Sequence, residues 1–269
     1  LVQSNGAVSR GGAAGTVPNG STIVSLSGVG KKFESGTVAL SDVDLCVARG
    51  EFLSLLGPSG CGKSTVLRLI AGLDRPTTGR IAWGGERRPR DIGFVFQEPT
   101  LMPWARVYDN VWLPLRLKGM SAREAEPRIV EALESVGLQD FHRAYPRELS
   151  GGMKMRVSIA RALATDPTVL LMDEPFAALD EITRFKLNDD LLRLWKERGW
   201  TIIFVTHSVF ESVYLSTRIA VMTSRPGRIA EEIAIDEPSP RSPNFRMSAH
   251  YADFARATSD ALSRAMGGA

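Results

Sequence analysis

Cysteine is almost missing from this chain: Cys46 and Cys61 are the only two among 269 residues. Two thiols build no disulfide framework and match no metal-binding spacing, which suits a reducing compartment. Long apolar runs are missing too. No uncharged stretch approaches the roughly 18 residues that a membrane-spanning helix needs, so the chain reads as soluble or peripheral. Nor does one sign of charge dominate. Lys and Arg number 33 against 30 Asp and Glu, a net charge of +3, and the arginines are interleaved with acids rather than clustered. That pattern reads as a solvated mixed-charge surface and does not call for a nucleic-acid partner. Internal repeats are absent. Residues 1–20, rich in Gly, Ala, Ser and Asn, lack the charged-then-apolar order of a secretory signal and read as a disordered leader. What is present is 43% apolar residues, enough for one large α/β unit or two small domains.

Ordered structure is expected from Ile23, and Val43-Asp44-Leu45-Cys46-Val47 alternates as a half-buried strand does. After Arg49-Gly50, the apolar run Phe52 to Leu56 fits a buried strand, and it feeds Gly57-Pro58-Ser59-Gly60-Cys61-Gly62-Lys63-Ser64. This is a complete phosphate-binding loop, G-x-x-x-x-G-K-[ST], standing after a strand and before the helical pattern Val66, Leu67, Leu69, Ile70. Its glycines let successive N–H groups face phosphate oxygens, and the helix that follows adds its positive end. Lys63 is placed for the β- and γ-phosphates, Ser64 for Mg²⁺, and Thr65 for the α-phosphate. A second apolar run, Thr168 to Met172, closes on Asp173 and Glu174. In a parallel sheet Asp173 would reach the Mg²⁺ shell, and Glu174 would stand where a carboxylate polarises an attacking water.

Further residues bear a family resemblance. Phe33 with Val38, Gln97 at the end of Ile92 to Phe96, Leu149-Ser150-Gly151-Gly152, Ala178-Leu179-Asp180, and His207 at the end of Ile202 to Thr206 occur in the order of the ATP-binding cassette (ABC) ATPases. The resemblance covers about residues 21–235. It implies an α/β P-loop NTPase with a RecA-like core, an antiparallel β subdomain and a helical subdomain at about 99–160. It also implies roles: Phe33 and Val38 against adenine, Gln97 sensing Mg²⁺ and the attacking water, Asp180 crossing a dimer interface, and His207 on the γ-phosphate. Each residue has a plainer reading as well. Phe33 could be a core aromatic, Gln97 a solvated amide, and His207 a satisfied hydrogen-bonding group.

Leu149 to Gly152 resemble the family's signature segment, which closes over ATP held by another cassette. Independently of that likeness, Ser150 has N-cap chemistry, and the two glycines expose N–H groups at a helix start, where an anion is favoured. Met153 departs from the signature's usual Gln. Methionine there, together with Leu101-Met102-Pro103-Trp104 and Asp109-Asn110-Val111, resembles importers of the nitrate, sulfonate and taurine type.

Between these motifs, Ser121-Ala122-Arg123-Glu124 is a capping box that opens a helix with apolar Ile129, Val130, Leu133 and Val136, stopped by Gly137. Leu101, Met102, Trp104 and Tyr108 are either anchors for a partner helix or core residues. Asp180 can cap a helix running to Arg198, with Phe185, Leu191, Leu194 and Trp195 as core contacts. Residues 236–269 form a tail in which Phe245 to Ala265 is weakly amphipathic; it is expected to pack on a dimer or on the helical subdomain.

The resemblance implies an ATPase subunit of a bacterial importer for a small anion or polar organic solute: nitrate, a sulfonate, taurine or a pyrimidine precursor. Its cofactors would be ATP and Mg²⁺. Its partners would be a second such subunit, identical or not, an integral-membrane permease and, through the permease, a solute-binding protein. Its place would be the cytoplasmic face of the inner membrane. A lipid or drug exporter subunit carries the same motifs and stays open. DNA-repair and ribosome-associated relatives would need a coiled-coil or zinc insertion, or a second cassette, and the chain has none of these.

Overall fold

Alternating apolar residues fold the start of the chain as a hairpin. Strands β1 (Thr22–Lys32) and β2 (Val38–Ala48) pair antiparallel, burying Val24, Leu26, Val43, Leu45 and Val47 on a common side. The computed structural model describes residues 21–85, 92–239 and 241–267, and the leader expected over residues 1–20 lies outside them. Strand β3 (Phe52–Leu56) then enters a second sheet, and helix α1 (Lys63–Ala71) follows it. Strand β4 (Thr78–Trp83) returns to β1, completing a three-stranded sheet in the order β2-β1-β4.

The larger sheet has six strands. Beside β3 these are β5 (Ile92–Val95), β6 (Val169–Asp173), β7 (Thr201–Thr206), β8 (Arg218–Met222) and β9 (Ile229–Ala234), in the order β5-β6-β7-β3-β8-β9. All pairings are parallel except β8 with β9. Every residue of β3, β6, β7 and β8 is buried, which is the pattern of strands covered on both faces.

The pleat divides each central strand between two cores. Leu53, Leu55, Val169, Leu171, Ile203 and Val205 face α1 and the small sheet. Phe52, Leu56, Leu170, Met172, Ile202 and Phe204 face the opposite way, toward α4 (Gly151–Leu163) and α5 (Glu181–Arg198). Trp195 of α5 meets Phe52 edge-on, with ring centroids 5.6 Å apart. Leu191 and Leu194 are buried as expected, but Phe185 is not a core contact. It lies 41% exposed on the outer face of α5, covered by the guanidinium of Arg246 at 4.7 Å.

Helices α2 (Val107–Leu117) and α3 (Ala122–Ser135) pack with α4 between β5 and β6 in the chain. The expected capping box forms at Ser121 and Glu124, and Gly137 takes the left-handed conformation just past the helix end. Asp180 caps α5 by accepting from the Thr183 N–H at 2.9 Å, and Gly199 ends it. Helix α6 (Val209–Leu215) follows β7.

The tail departs from the sequence reading. Phe245 belongs to a short 3-10 turn, Pro243–Met247, and helix α7 (Ala249–Gly267) begins only after extended Ser248, whose hydroxyl accepts from the Tyr251 N–H. Serine at that place favours a cap over continuation. The tail packs on the core of its own chain rather than on α2, α3 or α4. Tyr251 donates to the Phe210 carbonyl at 2.8 Å, Phe245 stacks on Tyr214, and Arg264 pairs with Glu231 of β9.

Candidate functional site

The carboxyl ends of β3, β6 and β7 deliver the reactive groups to one edge of the sheet, as parallel α/β sheets do. From β3 comes the phosphate loop. Gly60 and Gly62 have φ of 76° and 104°, conformations that side chains resist. Gly62 also has no room for one, since a Cβ there would come within 2.6 Å of Leu40. The Lys63 ammonium is buried and donates to the carbonyls of Gly57 at 2.7 Å and Pro58 at 3.0 Å. Ser64 donates to Asp173 Oδ1 at 2.8 Å, and Thr65 follows in the first turn of α1. Burial raises the Asp173 carboxyl above its usual range, while the Ser64 hydrogen bond opposes that rise. Cys61 is a buried thiol whose burial pushes it up, away from reactivity.

Glu174 lies at the centre of this edge. Its Oε1 is 3.7 Å from Lys63 Nζ, and its Oε2 is 3.0 Å from His207 Nδ1. Its backbone has φ of 45°, a conformation that costs a non-glycine residue about 1–3 kcal/mol, and its N–H is tied to the Val205 carbonyl. The structure thus brings Lys63, Ser64, Asp173, Glu174 and His207 together across three strands.

Other expected residues take separate places. Phe33 and Val38 flank the mouth of the β1–β2 hairpin, 39% and 41% exposed, so Phe33 is no core aromatic. Lys31 lies 5.4 Å over the Phe33 ring. Their hairpin reaches the phosphate loop through Ala39 and Leu40, which crowd Gly62. Gln97 is exposed just past β5 and makes no hydrogen bond to Asp173, Glu174 or Ser64. Ser150 caps α4, accepting from the Met153 N–H at 3.3 Å. Gly151 and Gly152 form the first turn, and Gly152 lies close to Thr183 and Leu179, beside the loop that ends in Asp180. No hydrogen bond among the described residues joins Ser150, Gly151 or Gly152 to the phosphate loop.

Residues 40–177 match the family model described as ABC transporter. The chain belongs to the ABC transporter family. It is 50% identical over 209 residues to the aliphatic sulfonates import ATP-binding protein SsuB of Bacillus licheniformis, covering 77% of this chain and 81% of that one. To the nitrate import ATP-binding protein NrtD of Synechocystis it is 46% identical over 226 residues, covering 81% and 84%. Among solved structures, a dimeric ATP-binding cassette in a post-hydrolysis state with ADP and Pi superposes with a TM-score of 0.71 at 36% identity, covering 80% of this chain and all of that one. As an ABC transporter ATPase the chain has the expected fold, an α/β core with an antiparallel β sheet and packed helices. No helix among the described residues is long and apolar enough to cross a membrane.

Within this ABC ATPase, Met153 packs its thioether partly against the core that α4 shares with the large sheet. Of the four residues before and in α2 that could anchor a partner, Leu101 and Tyr108 pack partly on the core, Met102 is half-buried, and Trp104 is 77% exposed. Sequence reasoning missed two neighbours of the site. Arg225, in the β8–β9 connection, donates to the Gly60 carbonyl at 3.1 Å, and no motif pointed to it. Glu211 accepts from the Thr206 hydroxyl at 2.6 Å. The pattern Ser208-x-x-Glu211 was a visible signal for it, since it has the form of a capping box.

Proposed function

We propose that this chain is the ATP-hydrolysing subunit of a bacterial ABC importer for a small anion, acting as one of two cassettes that hold two ATP molecules head to tail. The observation that carries this reading is the division of the site. Lys63, Ser64, Asp173, Glu174 and His207 converge, while Ser150, Gly151 and Gly152 offer a hydroxyl, bare N–H groups and a helix start elsewhere. Ser150 already accepts from Met153, so its own proton is free to donate to a phosphate held by another chain. The solved dimeric relative supports the pairing.

Phosphoryl transfer to water asks the protein for position and charge rather than covalent chemistry. Lys63 exchanges its loop carbonyls for β- and γ-phosphate oxygens. Glu174 accepts the proton of the attacking water, and His207 holds that carboxylate while reaching the γ-phosphate. Gln97 joins as the subdomains close, and Phe33 with Val38 stacks the base. The hydroxyl of Ser64 and the carboxylate of Asp173, 2.8 Å apart, form a hard oxygen pair that fits Mg²⁺. When bound, that ion would neutralise charge on the transferring phosphoryl group.

Closure of the two cassettes would drive an integral-membrane permease on the cytoplasmic side of the inner membrane, with Trp104 as an anchor and a solute-binding protein delivering cargo to the permease. SsuB and NrtD, named for sulfonate and nitrate import, support an anionic cargo. Co-purification of the chain with its permease, followed by assay of ATPase stimulation by sulfonate-loaded and nitrate-loaded binding protein, tests this. Stimulation by one of them is expected, and stimulation by neither, alongside intact ATP hydrolysis, would refute the cargo class.

A further inference from the structure

Glu211 is a buried carboxylate one turn beyond His207, 8% exposed, and the reactions above make no use of it. Its Oε2 accepts from the Thr206 hydroxyl at 2.6 Å. With its proton directed at Glu211, that hydroxyl has a lone pair for the Ser208 N–H, from which it accepts at 3.0 Å. Ser208 in turn accepts from the Glu211 N–H at 3.2 Å. The three bonds close a ring, Glu211 to Thr206 to Ser208 and back, and His207 stands between the two ring members Thr206 and Ser208. A Ser-x-x-Glu capping box would turn the glutamate back to the Ser208 N–H. Here Thr206 takes that donor and Glu211 orients Thr206 instead.

The ring bears on geometry that chemistry needs. His207 Nδ1 lies 3.0 Å from Glu174 Oε2, yet the imidazole is 54% exposed and has no hydrogen bond besides that one among the described residues. Its backbone turn, more than its packing, sets where it points. Thr206 is 2% exposed, so the anchor of the turn is buried from solvent. The other oxygen of Glu211 has no hydrogen-bond partner among the described residues, a cost that a cap by itself would not require.

Resting on the proposed role of His207, we infer that Glu211 is a positioning residue for hydrolysis: through Thr206 it fixes the turn that presents His207 to Glu174 and the γ-phosphate.

Steady-state ATPase of the full-length chain with its permease, measured for Glu211→Ala, Glu211→Gln, Thr206→Val, His207→Ala and the double variant Glu211→Ala/His207→Ala, tests this. Glu211→Ala and Thr206→Val are expected to lower kcat about tenfold or more, the size of a modest misplacement of a reacting group, with KM for ATP changed far less. Glu211→Gln retains an acceptor for Thr206 and should recover most of the loss. In the His207→Ala background, Glu211→Ala should cost almost nothing further, because its route to the reaction is gone. Thermal melts separate misfolding from misplacement, and Thr206→Val, close to isosteric, serves if Glu211→Ala does not fold. Full additivity of the two losses, or a Glu211→Ala rate equal to the parent while His207→Ala is impaired, overturns the inference alone. A His207→Ala rate equal to the parent overturns the proposed site chemistry and the inference with it.

Discussion

Glu174 and His207 are joined by a 3.0 Å hydrogen bond between Oε2 and Nδ1, although 33 residues and a complete helix separate them in the chain. The bond exists because β6 and β7 run parallel and in register, Asp173 beside Val205, so that each strand releases its next residue at the same edge. Lys63 completes the group from β3, the neighbour of β7 on the other side. Three chain segments thereby place a carboxylate, an imidazole and an ammonium within a few ångströms.

Removal of the base should separate binding from hydrolysis. Glu174→Gln keeps the shape of the side chain and its contact with His207 but cannot take a proton, so hydrolysis should fall by on the order of 10²–10⁴-fold. Size-exclusion chromatography in MgATP is expected to show a long-lived dimer for this variant. A monomer under all conditions, with or without the permease, would argue strongly against paired cassettes.

Composite sites make a sharper prediction. Lys63→Ala and Ser150→Ala should each be inactive alone. Mixed in equal amounts before assembly, they should recover ATPase activity at about a quarter of the parent value. Half of the dimers are then mixed, and each mixed dimer has one site with both elements intact. If both elements served the same nucleotide in one chain, mixing would restore nothing.

Phe33 is half-exposed at the mouth of its hairpin, where a core aromatic would be covered. Stacking on a base is worth about 1–3 kcal/mol, so Phe33→Ala should raise the Kd for ATP roughly 5- to 150-fold. Fluorescence titration with a labelled nucleotide measures this directly, and inorganic triphosphate binding should be unaffected.

Trp104 exposes 77% of its surface next to Leu101 and Tyr108, which are partly anchored in the core. Trp104→Ala should leave thermal stability within about 0.5 kcal/mol of the parent, since it removes few contacts. Co-purification with the permease should be lost. Retention of the permease at parental yield would place the anchor elsewhere.

Away from the site, the base of the large sheet depends on a buried ion pair. Arg218, 7% exposed, donates to Glu51 Oε1 at 2.7 Å, to Glu232 Oε2 at 2.7 Å and to the Cys46 carbonyl at 2.5 Å. It links β8 to β2, β9 and the turn that enters β3. Loss of one partner strands the other charge in a dry site, so Arg218→Ala should cost about 3–5 kcal/mol in denaturant unfolding. Replacement of Arg218 and Glu51 together by apolar residues of similar size should cost less than Arg218→Ala alone.

Legibility in the sequence followed the range of each interaction. The phosphate loop, the strands that feed it and the caps at Ser121, Ser150 and Asp180 were readable, because each depends on residue types a few positions apart. Phe185 was misread as core because helical spacing alone does not say which side Arg246 will cover. The break at Ser248 was missed because weak amphipathic periodicity ran straight through it. The spacing Ser208-x-x-Glu211 has the form of a capping box. Only the fold shows its carboxylate turned onto Thr206.

By itself, then, the order of residues determined the chemistry: a loop that must curl for want of side chains at Gly60 and Gly62, a lysine and serine at its end, and two carboxylates closing an apolar run. Those are consequences of local stereochemistry, and they hold wherever the segment lies. The tertiary structure decided which groups meet. The parallel register of β6, β7 and β3 brings Glu174 to His207 and Lys63, and no hydrogen bond among the described residues joins Ser150 and its glycines to them. Spacing along a chain cannot state a distance across a sheet, because that distance is set by strand order and packing against two cores.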